Sequence, residues 1–222
     1  MQSDEVRICR SSRRRRVVLR IAEDGIAELL VPAYFSDSAA QQIIAENASV
    51  ITRLRQRAEL NKSARPVFSD NGQLLFCGKS YPLCTSIRLR SFNGERFMIP
   101  AGTETERLDA IEALYKTLAK QYIVPRTAEL AAKFGLSVGK IKINSATTRW
   151  GSCSASGNLN FSWQLIRCPE ELIDSVICHE LAHRLELNHS PGFYLALKKL
   201  DPLYMEHRTA LRRFTRENPW FR

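Results

Sequence analysis

Three of the four histidines in this 222-residue chain fall within one run of eleven residues, HELAHRLELNH, from His179 to His189. On an α-helix, positions i and i+4 differ by about 40° around the axis, so His179 and His183 present their rings from one face. That spacing suits two neighbouring corners of a zinc tetrahedron, with Zn–N bonds of about 2.0–2.1 Å. Glu180 lies one residue round from His179. It does not easily join that two-histidine bite, but it reaches a water at the metal and can take its proton. A catalytic zinc needs a third protein ligand and an open fourth position. His189 comes where Leu187-Asn188 should end one helix and Ser190-Pro191 should start the next. A break there turns the chain back toward the metal. Glu186 competes as third ligand, but at i+3 from His183 it points along the same helix and strains the tetrahedron. Simple burial competes too, since Leu172, Ile173, Val176, Ile177, Cys178, Leu181 and Leu185 cover most sides of this helix. Two imidazoles and a carboxylate among them are costly without a compensating partner, and a metal compensates them directly. These residues predict a hydrolase with Zn²⁺ on His179, His183 and His189 and Glu180 as general base.

The other reactive side chains offer less. Six cysteines are scattered with no CxxC pair, which argues against a disulfide framework or an all-cysteine zinc site. Cys153 as a nucleophile lacks a histidine to activate it once three bind metal. Arg149, Asn188 and Tyr194 are the nearest side chains in sequence to serve as an oxyanion partner. Trp150 and Trp163 read as core or pocket wall, and His207 as a surface or helix-packing residue.

The elements that must position this site are well punctuated. Pro169 with Glu170 and Glu171, Ser190-Pro191, and Asp201-Pro202 mark three helix starts, predicting helices near 169–187, 191–200 and 202–216. Upstream, Lys140–Asn144, Thr147–Cys153 and Asn158–Ile166 read as short strands, with Ser156-Gly157 turning between the last two. Gly151 inside a strand predicts a bulge or a close backbone approach. A long helix is expected from about Glu104 to Phe134, open to interruption at Pro125 and closed by Gly135. Strands are expected at Gln73–Cys77, Tyr81–Ser91 and Glu95–Pro100, the last two joined at Phe92-Asn93-Gly94. Residues 61–72 read as a loop. Nearer the start, Asp24-Gly25 predicts a hairpin within residues 16–31, and Ser36/Asp37 cap a helix running to about Leu60. A boundary near residue 102 then separates an N-terminal β-rich region with one helix, 1–102, from an α+β region, 103–222.

Composition bounds the class. Hydrophobic residues make up 44% and charged residues 25%, ordinary for a soluble globular protein. No apolar run nears the ~20 residues of a membrane helix, and no apolar h-region follows the basic start. The cytoplasm is therefore the expected location, with no membrane partner. The net charge of +10 sits mostly at the ends. Residues 1–20 carry seven Arg against Asp4 and Glu5, and residues 198–222 carry seven Lys/Arg against three acids. Such ends attract polyanions, nucleotide or nucleic acid among them. A solvated strand edge that discourages aggregation is the plainer reading of Arg13–Arg16.

RWGSC (149–153), NLNFSWQLI (158–166), CPEELIDSVICHELAH (168–183) and NHSPGF (188–193) together resemble the YgjP-like metallopeptidase domain, related to SprT-like and other zincin proteases. The resemblance extends to DGIAELLVP (24–32), GKSYPL (78–83) and the closing helix, and so covers most of the chain. It implies an α+β protein: an N-terminal β-rich region, then a zincin-like domain whose HExxH helix packs on a small sheet. It also implies Zn²⁺ on His179, His183 and His189, Glu180 as base, and a peptide or protein substrate. Tyr194 stands where a tryptophan is common, and Ser145 where a bulkier or charged residue often precedes RWGSC. In zincin-like sites the substrate pairs with an edge strand, which places Arg149, Trp150, Gly151, Asn188 and Tyr194 as candidate substrate contacts. Either strand after Thr147 could be that edge. Two other functions remain open: hydrolysis of a phosphoanhydride such as a nucleoside triphosphate at the same site, and a nucleic-acid-associated protease or binding module using the basic ends.

Overall fold

Asp24-Gly25 turns the chain as its composition requires. Gly25 sits at φ 85°, Asp24 Oδ1 accepts from Ile26 N at 3.0 Å, and strands β2 (Val18–Ile21) and β3 (Ala27–Pro32) pair antiparallel across the turn. The computed structural model describes residues 6–22, 24–63, 72–86 and 90–218. The acids Asp4 and Glu5, part of the 61–72 loop, the middle of the expected strand Tyr81–Ser91 and the last four residues lie outside the described residues. By its contacts the chain divides into two units, Met1–Arg65 and Pro66–Arg222.

In the first unit, strand β1 (Val6–Ser11), which the sequence reading missed, pairs parallel with β3 and makes it the centre of a β1-β3-β2 sheet. Leu29 and Val31 pack with Ala40 of helix α1 (Asp37–Glu46), joined by Val6, Ile8 and Leu19. The single helix expected to Leu60 is two helices. Asn47 ends α1, its side-chain amide donating to Ile43 O, and helix α2 (Ala48–Ser63) follows. Register sets Glu28 of β3 opposite Arg7 and Arg20, and the buried carboxylate accepts from both, at 3.2 and 2.9 Å. Arg10 pairs with Asp37. Three arginines of the basic N-terminal stretch are thus engaged within this unit.

The second unit is α+β and begins well before residue 102. Strands β4 (Gln73–Phe76), β5 (Lys79–Ser86), β6 (Ser91–Phe92) and β7 (Phe97–Pro100) form a sheet in the order β4-β5-β7-β6. Their Leu74, Leu83, Phe97 and Ile99 belong to the same buried cluster as the HExxH helix, so the boundary expected near 102 falls inside this unit. Helix α3 (Glu104–Lys133) starts at a Thr103–Glu106 capping box and continues through Pro125 without a break. Tyr115 on α3 donates to Leu75 O at 2.7 Å and stacks on Trp163 at 5.4 Å.

A second sheet, β8-β10-β9, is built from β8 (Ile141–Asn144), β9 (Gly151–Cys153) and β10 (Leu159–Ser162). The strand expected to reach Ile166 stops at Ser162, whose hydroxyl caps a 3₁₀ helix, Trp163–Arg167. Helices α4 (Glu170–Ala182), α5 (Pro191–Leu200) and α6 (Tyr204–Glu217) complete the unit. The β4–β5 turn is fastened to the entry of α4. Cys77 N and Gly78 N donate to Ile166 O and Arg167 O at 2.8 and 3.1 Å. A Cβ on Gly78 would lie 2.8 Å from Pro169 Cα, so a glycine is required there on contact alone.

Candidate metal centre

Helix α4 carries His179 inside its last turn and ends one residue before His183, five residues short of the expected 187. The chain tightens because Arg184 N and Leu185 N donate back three residues, to Leu181 O and Ala182 O, at 2.9 and 3.0 Å. This early stop brings Glu186 O to 3.1 Å from His183 Nδ1. A carbonyl only accepts, so Nδ1 carries the proton and Nε2 keeps its lone pair for a metal. Glu186, the competing ligand, instead accepts from Ser190 Oγ at 3.2 Å, and that hydroxyl also caps α5. The turn between α4 and α5 returns His189 to the other two rings.

The candidate donor nitrogens of His179, His183 and His189 all lie within 4.8 Å of one another, and the Nε2 atoms of His179 and His189 face each other at 3.1 Å. The edge of a tetrahedron with Zn–N bonds of about 2.05 Å is about 3.3 Å. The donor set therefore fits a tetrahedral ion of the zinc type. Burial first, then the charges of His183, His189 and Arg208, push His179 down to about 4, which keeps its ring neutral and able to ligate. Phe193, fully buried on α5, sits 5.0, 4.6 and 4.6 Å from the three imidazoles, ring centre to ring centre. It backs all three ligands, and the sequence reading did not single it out. Its position four residues after His189, just inside a capped helix, was the available signal.

Glu180 is 5% exposed, and burial pushes its carboxyl up to about 7 against the opposing charge of Arg149. Gly151 makes the close approach its strand position predicted, for a Cβ there would lie 2.6 Å from Glu180 Oε1. A cleft of about 460 Å³ opens beside Glu180, and Arg149, Trp150, Gly151 and Tyr194 all line it. Asn188 is not among its lining residues. It lies exposed in the turn, its carbonyl accepting from Ser190 N at 2.8 Å. Burial raises the Cys153 thiol, which works against a nucleophilic thiolate there.

Ser175, one helical turn before His179 on α4, also lines the cleft, and farther parts of the chain add walls that no local motif announced: Leu197 from α5, and Tyr204, Arg208 and Leu211 from α6. Ser175 Oγ donates to Asp201 Oδ2 at 2.5 Å, and His207 Nδ1 lies 3.0 Å from both oxygens of that buried carboxylate. His207 is therefore a partner of the α5–α6 turn, which it ties to α4 through Asp201 and Ser175.

A family model described as YgjP-like, metallopeptidase domain, matches residues 15–214. The chain belongs to the YgjP-like metallopeptidase family. It is accordingly a metallohydrolase, and its family implies a bound metal ion. Among solved structures, the metallopeptidase zymogen of Pyrococcus abyssi abylysin is 19% identical, with a TM-score of 0.39, covering 43% of this chain and 97% of that one. The zymogen of Methanocaldococcus jannaschii jannalysin is 21% identical, with a TM-score of 0.37, covering 41% and 94%. No curated protein matches the chain. No helix among the described residues is long and apolar enough to cross a membrane.

Proposed function

We propose that this YgjP-like protein is a zinc-dependent metallopeptidase, with the metal on His179, His183 and His189 and Glu180 as general base. The observation that carries the reading is the convergence of three imidazole donors within 4.8 Å, one of them, His179, adjacent on α4 to the buried carboxylate of Glu180. Zinc, when bound, supplies the Lewis acidity that lowers the pKa of a water toward ~7 and polarises a scissile carbonyl. Glu180 takes the proton of the attacking water and later hands it to the leaving amine. Gly151 keeps the floor beside Glu180 free of side-chain atoms. Strand β9 is an edge of its sheet, β10 being central, so a peptide can pair with β9 through main-chain hydrogen bonds. Arg149, which precedes that strand by two residues and whose charge already acts on Glu180, is assigned to the developing oxyanion. We place the catalytic machinery in 103–222, with the sheet of residues 73–100 as its support. The cysteines are unpaired, which fits a reducing compartment, the cytoplasm.

A second reading, phosphoanhydride hydrolysis at the same site, is favoured by the two arginines in the cleft. One experiment separates the two. The zinc-loaded protein and Glu180→Gln are assayed against unfolded polypeptides and against nucleoside triphosphates. Peptide cleavage that falls about 10²–10⁴-fold in Glu180→Gln, with bound zinc unchanged, is the expected result. Nucleotide turnover without peptide cleavage would replace the first reading with the second.

A further inference from the structure

Glu180 is the only carboxylate among the residues lining the cleft, whereas two guanidiniums, Arg149 and Arg208, share it. Neither arginine has an ion pair or hydrogen bond to another side chain among the described residues. Arg149 stands next to Glu180 and is accounted for by the chemistry. Arg208 is not. It projects from α6 between Tyr204, one turn before it, and Leu211, one turn after, both of which also line the cleft. His179 lines the same cleft. A cation in the same cleft as a metal ligand opposes the binding of a dication unless an anion comes between them. Glu180, taken up as the base, is the only anion that the cleft residues themselves supply.

We infer that Arg208 is the specificity determinant of this cleft, selecting peptides that place a carboxylate beside the scissile bond; the inference rests on the peptidase reading. The shape of the surroundings favours a carboxylate on a short apolar stem. Val176, Leu197 and Leu211 give aliphatic contact, and Tyr204 is held by stacking on Tyr194 at 6.1 Å. A guanidinium fork at the end of such a wall matches a carboxylate with two parallel hydrogen bonds. A triphosphate chain asks for more: several cations or a cradle of backbone N–H groups. The cleft has no lysine, and the sequence has no GxxxxGK loop. Two sources provide the carboxylate, an Asp or Glu side chain and the free C-terminus of a short product segment.

The test uses the full-length zinc-loaded protein and internally quenched peptides that differ only in Glu, Gln or Lys at the positions flanking the cleaved bond. Each is made with a free and an amidated C-terminus close to that bond. Kd values are read in parallel on Glu180→Gln, which binds without turnover. Wild type is expected to favour the carboxylate peptide over its amide by about 10- to 100-fold in kcat/KM and in Kd. Glu-over-Gln preference assigns the side chain as source, and free-over-amidated preference assigns the terminus. In Arg208→Ala the ratio collapses toward one. Arg208→Lys restores part of it, and Arg208→Glu turns the preference toward Lys. Zinc content and thermal melts of each variant check that the fold is kept. A wild-type ratio near one for both sources overturns the inference while leaving a peptidase, as does a ratio unmoved by Arg208→Ala. Turnover of nucleoside triphosphates with no peptide cleaved removes the peptidase reading and this inference with it.

Discussion

Gly151 has no side chain, and Glu180 occupies the space a methyl group would need. In Gly151→Ala the new carbon would start 2.6 Å from the carboxylate oxygen, and Glu180, 5% exposed, has little room to retreat. The expected outcome is a kcat lower by about 10²-fold, because a displaced base loses alignment more than it loses basicity. Stability should fall by only about 1–3 kcal/mol, the usual cost of an overpacked contact. Turnover, bound zinc and a urea melt measured together check this, and an unchanged kcat would remove Glu180 from the chemistry. At this scale the sequence was most informative where spacing is local. His179 and His183 are about one helical turn apart with Glu180 beside the first, so local spacing alone brings them together. Arg208 and Tyr204 reach the cleft by tertiary packing, which leaves no mark on their neighbours in sequence. Asn188 is the converse, adjacent to His189 in sequence yet exposed in the turn and not among the residues lining the cleft.

The helix that bears two of the histidines is fixed from outside as well as from within. Arg126 of α3 donates to both oxygens of Asp174 on α4, at 2.8 and 2.6 Å. Both side chains are about one-third exposed, so solvent screens the pair. A double-mutant cycle with Arg126→Ala and Asp174→Ala is expected to give a coupling of about 1 kcal/mol. Because α4 positions the ligands, zinc affinity should weaken in both single variants, which a competition titration with a chelator reads. In the first unit, Glu28 makes an acid-sensitive strand contact. Arg20 first, then Arg7, hold its carboxyl below the usual carboxylate range. A depressed pKa gives stability that is full above the unfolded value, about 4.3, and is lost as pH falls through the folded one. Glu28→Gln should therefore flatten the loss of stability between neutral and acid pH, followed by denaturant melts. An equal loss in both proteins would show that this triad does not set acid sensitivity. Element types were readable from capping and periodicity, but their ends were not. The stops at Ala182 and Ser162 depend on bonds to residues a few positions on, and β1 on partners twenty-one residues downstream, beyond β2.

At the level of the whole chain, the sequence suggested a divide near residue 102 because β-rich pattern gives way there to helix. The sheet β4-β5-β7-β6 nevertheless shares one buried cluster with α3 and α4. Strand pattern shows that a face is apolar, and it does not say which element covers it. A fragment of residues 103–222 should accordingly be insoluble or molten, whereas 66–222 should fold and bind zinc, as near-ultraviolet circular dichroism and metal analysis would show. A folded, zinc-binding 103–222 would make the sheet dispensable. The fastening of Cys77 and Gly78 to the carbonyls before α4 also sets a timetable. Ile99 leaves the ribosome roughly sixty residues ahead of Trp163, a lead of several seconds at about 5–20 residues per second. Through that interval the sheet's apolar face has only the growing α3 to lie against, and the turn at Gly78 has no carbonyls to hold. The later-made residues 163–189 are thus the ones that complete both this core and the metal centre, so the sheet is made well before the centre that it helps to support.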